Sequence, residues 1–122
     1  MPGPHIRKST TIPSAGNKPK IIREFIGRVN TESTDISIAR MKSPAGWEEP
    51  AQTPEFDEYT FVLKGSVEVK TEGRTYTINQ NEVFLAQRGK TVQYKTPAPG
   101  GAEYIAICLP AFSPDTVHRE DE

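Results

Sequence analysis

Turn signals recur at short intervals through residues 58–109, and they leave no room for a long helix. They are Lys64-Gly65, Glu72-Gly73, Asn79-Gln80-Asn81, Arg88-Gly89 and Pro97-Ala98-Pro99-Gly100-Gly101. No segment holds a helical apolar period for three turns. The segments between the turns read as strands: 58–63, 66–71, 74–78, 82–86, 91–95 and 103–109. Upstream, 20–27 carries Ile21, Ile22, Phe25 and Ile26 between Pro19 and Gly27. Residues 35–42 alternate, with Ile36, Ile38 and Arg40 on one face and Ser37, Ala39 and Met41 on the other. Short strands joined by regular turns make a sandwich or a barrel.

A chain of 122 residues has the length of one domain. Residues 1–19 hold Pro2, Gly3, Pro4, Pro13, Gly16 and Pro19 and few apolar side chains. They read as a flexible arm, or as an extended arm that adds to a sheet edge here or on a partner. Residues 20–109 carry the strands and are expected to form that sandwich or barrel. Residues 110–122, with Pro110, Pro114 and an acidic end, read as a tail. The formal net charge of -1 provides no global field for nucleic acid or an anionic membrane, so neither is expected as a partner. No apolar run approaches the length of a membrane span, and the first residues lack the apolar core of a secretory signal. The single cysteine, Cys108, excludes a disulfide within the chain and suits a reducing compartment, so a cytoplasmic location is expected.

Residues 58–65 read Glu-Tyr-Thr-Phe-Val-Leu-Lys-Gly. This stretch resembles the end of the first cupin motif, in which a Glu precedes a Gly by a fixed spacing. The chain is thus similar to a small single-domain cupin of the conserved-barrel type. The resemblance implies an all-β jelly-roll β-barrel, also called a double-stranded β-helix. The ligand positions of the motifs depart from the family. The two motif histidines fall on Gln52 and Pro54, or on Ala51 and Thr53 with the longer spacing. In the second motif Gly89 matches, while Asn81, Gln87, Val92 and Thr96 replace the other four signature residues. Cupin metals usually sit on three imidazoles and a carboxylate, and transition metals want such donors. Here the only histidines are His5 and His118, near the ends of the chain, and both read as solvated. No metal and no cofactor are expected.

Barrel mouths are common ligand sites. The ligand-contacting candidates are Arg40, Trp47, Gln52, Glu58, Gln93 and Tyr94. Glu58 is also the candidate acid or base, since burial raises a carboxyl pKa into a useful range. The competing reading pairs Glu58 with Arg40 or bonds it to Gln52, Thr60 or Tyr94. Trp47 either lines the mouth or plugs the barrel end. Cys108, between Ile107 and Leu109, reads as a small buried apolar residue. No phosphate loop, Ser-His-Asp set or basic-aromatic platform is present in the sequence. The function expected is binding of a small polar metabolite, such as a sugar acid or another carboxylate, without a tightly bound transition metal. The alternatives are a cupin isomerase or lyase using Glu58 or a weakly held metal, and an accessory subunit similar to ethanolamine-utilisation cupins. If Glu58 points inward, then Tyr59, Phe61 and Leu63 point outward and need cover. A homodimer is the expected source of that cover.

Overall fold

The computed structural model describes residues 6–120, and these described residues are built from nine strands. They are β1 (Thr10–Ile12), β2 (Ile21–Ile26), β3 (Ser37–Ser43), β4 (Trp47–Glu48), β5 (Asp57–Thr71), β6 (Arg74–Asn79), β7 (Val83–Ala86), β8 (Val92–Thr96) and β9 (Ala102–Leu109). Every pairing is antiparallel. The order β1-β2-β3-β9-β5-β8-β4 curls into a jelly roll, with β6 and β7 also pairing with β5.

The central element differs from the two strands and a turn expected at residues 58–71. β5 is continuous, and Gly65 bends it without reversing it. Residues Asp57 to Gly65 pair with β9, and Ser66 to Thr71 pair with β6. A bulge between Val62 and Lys64 marks the crossing. Gly65 sits at φ 78 with its α-carbon pressed on the β9 backbone. A β-carbon there would collide with the Gly101 carbonyl oxygen. One strand thereby serves both halves of the barrel.

Alternation then assigns the faces. On β9, Ala102, Tyr104, Ala106 and Cys108 are buried, while Glu103, Ile105, Ile107 and Leu109 lie outside and half-covered. On β5, Thr60 and Val62 point inward with Glu58, and Tyr59 and Phe61 point outward. The main core gathers Trp47, Val62, Val67, Val69, Ile78, Val92, Tyr94 and Tyr104. A second cluster joins Phe56, Cys108 and Val117, with Phe112 packed against it.

The terminal segments pack on one end of the barrel. β1 pairs with β2. The Trp47 indole N–H donates to the Ala15 carbonyl at 3.0 Å. Asn17 accepts from the Glu48 N–H through Oδ1 at 2.8 Å and donates from Nδ2 to the Gly46 carbonyl at 3.2 Å. At the other terminus, the Thr53 N–H donates to the His118 carbonyl at 3.1 Å and the Glu120 N–H to that of Ala51 at 2.8 Å. The His118 ring contacts the Glu55 carboxylate. His5 lies outside the described residues.

The crossing makes a graded prediction. Gly73 has φ 76, but a β-carbon there would have nothing within 4 Å, so Gly73→Ala should cost only the left-handed penalty, about 1 kcal/mol. Gly65→Ala meets backbone as well and should cost clearly more. Urea denaturation of the two variants measures the difference, and equal losses would show that the approach to Gly101 constrains nothing.

Candidate functional site

The barrel interior narrows to a cavity of about 50 Å³ under the terminal segments. Strand alternation supplies Glu58 from β5 and Tyr94 from β8. Gln52 is placed by a two-way backbone bridge: its N–H donates to Val92 at 2.9 Å and its carbonyl accepts from Val92 at 2.8 Å. The Glu49 N–H donates to the Tyr94 carbonyl at 3.3 Å, which turns the Glu49 side chain inward. Lys20, just before β2, and Arg119, from the C-terminal segment, bring cations to a lining that also includes Glu24, Ser37, Tyr104 and Cys108.

The electrostatics follow from burial. Glu58 lies deep in the barrel and, partly accessible, lines the cavity. Desolvation, reinforced by the neighbouring Glu49, pushes its pKa up to about 7, against the pull of Lys20 and Arg119. Burial likewise raises Glu49, opposed by the same two cations. Tyr94 and Cys108 are pushed well above their ordinary values by burial and by Glu58, so both remain protonated at neutral pH. Lys20 Nζ rests 4.0 Å from the centre of the Trp47 ring and donates to the Tyr104 hydroxyl at 3.3 Å. Arg119 Nε stands 4.0 Å from the Glu49 carboxylate. Among the described residues Gln52 Oε1 is buried without a hydrogen-bond partner, and the buried hydroxyls of Thr60 and Tyr94 have at most one another. Such groups are costly unless water reaches them, and a space of this size with polar groups on its otherwise apolar wall suits a few waters.

Three of the six expected ligand residues meet here: Gln52, Glu58 and Tyr94. Arg40 does not. The inner face of β3 carries Ser37, Ala39 and Met41, and Arg40 points outward to pair with Glu103 at 3.0 Å. Trp47 is wholly buried in the core and does not line the cavity. Gln93 alternates outward from Tyr94 and donates through Nε2 to the Glu49 carbonyl at 3.0 Å. The residues not anticipated are Glu49, Lys20 and Arg119. Glu49 lies in a Pro-rich loop without periodicity, and the two cations come from the flanks of the barrel.

A buried carboxyl with a pKa near neutrality, beside a second carboxyl and two cations, can accept and release a proton. The cavity is far below the several hundred Å³ of a metabolite pocket. The donors are carboxylates, an amide, two phenols and a protonated thiol with cations beside them, so they do not fit the three-imidazole, one-carboxylate set of a cupin transition metal. Among the described residues no group of three or more His, Cys, Asp or Glu gathers to hold a metal.

No family model matches the chain. Among solved structures, it superposes on a predicted oxalate decarboxylase of Thermotoga maritima with a TM-score of 0.71 at 16% identity, over 85% of this chain and 93% of that one. It superposes on an RmlC-like cupin of Shewanella frigidimarina with a TM-score of 0.64 at 14% identity, over 75% and 77% of the two chains. The fold is that of the cupin superfamily. In sequence, the chain is 43% identical over 118 residues to the endoribonuclease YbeY of Myxococcus xanthus. The match takes in 97% of this chain and 40% of that relative, so the chain spans less than half the length of the protein it resembles. A relative named for cleaving RNA overturns three expectations: a binder of small polar metabolites, an isomerase, lyase or ethanolamine-type accessory role, and the absence of a nucleic-acid partner.

The buried carboxyls set a pH dependence. The folded chain holds the Glu58 proton up to about pH 7, whereas an ordinary carboxyl releases it at 4.5. Between these limits the folded state binds more protons than the unfolded state, so stability falls as pH rises. Glu58 alone should contribute roughly 3 kcal/mol to this fall, and Glu49, raised in the same direction, adds to it. Asp57 and Glu103, whose carboxyls are held low by Arg88 and Arg40, act only below this window. Glu58→Gln should remove the Glu58 share of the slope, leaving the share that Glu49 carries, and be at least as stable as the wild type above neutral pH. Urea denaturation across this pH range tests it, and a wild-type stability that rises with pH would contradict the assignment.

Proposed function

We propose that the chain serves RNA processing as a cupin-fold module of an RNA-cleaving protein. The observation that carries this reading is the 43% identity to an endoribonuclease, which runs through almost the whole chain. The match accounts for 40% of that relative, so the reading assigns this chain a part in RNA handling without making its barrel the place of strand scission. The interior supports that division. A space of about 50 Å³ holds waters and not a nucleotide, and the carboxyls lining it would repel a phosphate once ionised. RNA contacts on this reading lie on the outside of the barrel.

The reading includes a barrel without cupin imidazole ligands, since the motif spacing puts Gln52 and Pro54, or Ala51 and Thr53, and Val92 at those places. Elemental analysis after purification without added metal should find less than about one-tenth equivalent of zinc, iron, nickel, copper or manganese. A stoichiometric transition metal lost on Glu58→Gln would overturn this part.

The main test is ultraviolet cross-linking of the tagged chain in cells, followed by recovery of bound RNA. Recovery should exceed several-fold that from unirradiated cells. Recovery at the unirradiated level would overturn the RNA-processing reading.

A further inference from the structure

The sheet face turned away from the cavity is far more positive than the chain as a whole. Register aligns Arg23 on β2 with Arg40 on β3, then Ile105 on β9, Phe61 on β5 and Val83 on β7. The adjacent outward row runs Ile21, Lys42, Glu103 and Lys64. On the other side lie Ile38, Ile107, Tyr59 and Leu85. Arg23, Arg40, Lys42 and Lys64 are all exposed. Glu103 is the one acidic residue in these rows, shared by Arg40 at 3.0 Å and Lys42 at 3.8 Å. Four basic side chains against one carboxylate leave a surplus of three positive charges, on a chain whose net charge is -1.

Rings adjoin the charge. Tyr59 and Phe61 project from the same face of β5, and Phe61 keeps 38% of its surface exposed. Beyond them Val83 and Leu85 are 60% and 42% exposed. Single-stranded nucleic acid asks for this combination: cations for the phosphates and aromatic faces for unpaired bases. A second copy of the chain fits less well, because a two-fold contact would bring two surfaces of the same positive surplus together.

We infer that this outer face docks single-stranded RNA, with phosphates on Arg23, Arg40, Lys42 and Lys64 and bases stacked on Tyr59 and Phe61. The inference rests on the RNA-processing reading and gives that reading a surface. The bulge that carries β5 past Leu63 keeps Lys64 on this face opposite Glu103, so the basic row extends to the central strand.

The test is fluorescence anisotropy of a short labelled oligouridine RNA titrated with the whole chain at about 50 and 200 mM salt. Binding should weaken with salt. The log–log slope should shrink by about 0.7 for each phosphate that Arg23→Ala or Lys42→Ala leaves without its cation. Phe61→Ala should weaken binding roughly tenfold and leave the salt slope unchanged. Glu103→Gln removes the opposing carboxylate and should tighten binding, a gain that misfolding cannot mimic. Variants that bind as the wild type does would overturn the face. So would a dimer, seen by sedimentation, that Phe61→Ala disperses and RNA does not. If the Arg23→Ala, Lys42→Ala chain keeps its cross-links to RNA in cells, the face is wrong while the RNA-processing reading stands. If the wild type yields no cross-links, the reading itself has failed.

Discussion

Three backbone segments meet at Gly65 and Gly101 more closely than any side chain would allow. A β-carbon on Gly101 would collide with the Ser43 carbonyl oxygen, and one on Gly65 with that of Gly101. The end of β3, the start of β9 and the middle of β5 are therefore pinned together. The curl of the sheet starts at this point, since β5 leaves its pairing with β9 here for β6 and β8. The accompanying bulge resets the alternation, so Val62 before it and Val67 after it both face the core. Without that reset, one half of β5 would turn its polar residues inward.

The interior is an electrostatic compromise. Two carboxyls are buried together, an arrangement that isolated ions could not sustain. Lys20 and Arg119 temper it from the two flanks of the barrel. The rest of the cost is met by keeping protons: Glu58 holds its own to near neutrality, and the thiol of Cys108 and the phenol of Tyr94 stay protonated beside it. The cavity and the terminal segments thus form one unit, because the segments that narrow the space also bring a countercharge.

The strand architecture was legible because alternation and turn residues are local signals. The place of Glu58 before Gly65 raised an inward carboxyl as one possibility, and Glu58 does line the cavity. Alternation names two faces without saying which is inside, and on β3 this misled. Ile36, Ile38 and Arg40 look like the buried set by size, yet the narrow interior takes Ser37, Ala39 and Met41. Tyr104 and Trp47 already fill the space that larger residues would need. Lys64-Gly65 has the composition of a turn, and only the partner strands decide that the chain continues through it. Glu49, Lys20 and Arg119 were out of reach, since their meeting depends on how the loop and the two ends fold over the barrel. The net charge of -1 hid the basic face, because a sum over the whole chain says nothing about its distribution.

Trp47 is the chain's only tryptophan, and its surroundings make it a built-in reporter. Its indole N–H is held by Ala15, Gly16 packs against the ring edge, and the Lys20 ammonium sits over its face. Lifting the N-terminal arm would strip all of these at once and admit water to a ring that has no accessible surface in the folded protein. The intrinsic emission of the unlabelled protein therefore reads the closure of the barrel end directly, free of interference from any second indole.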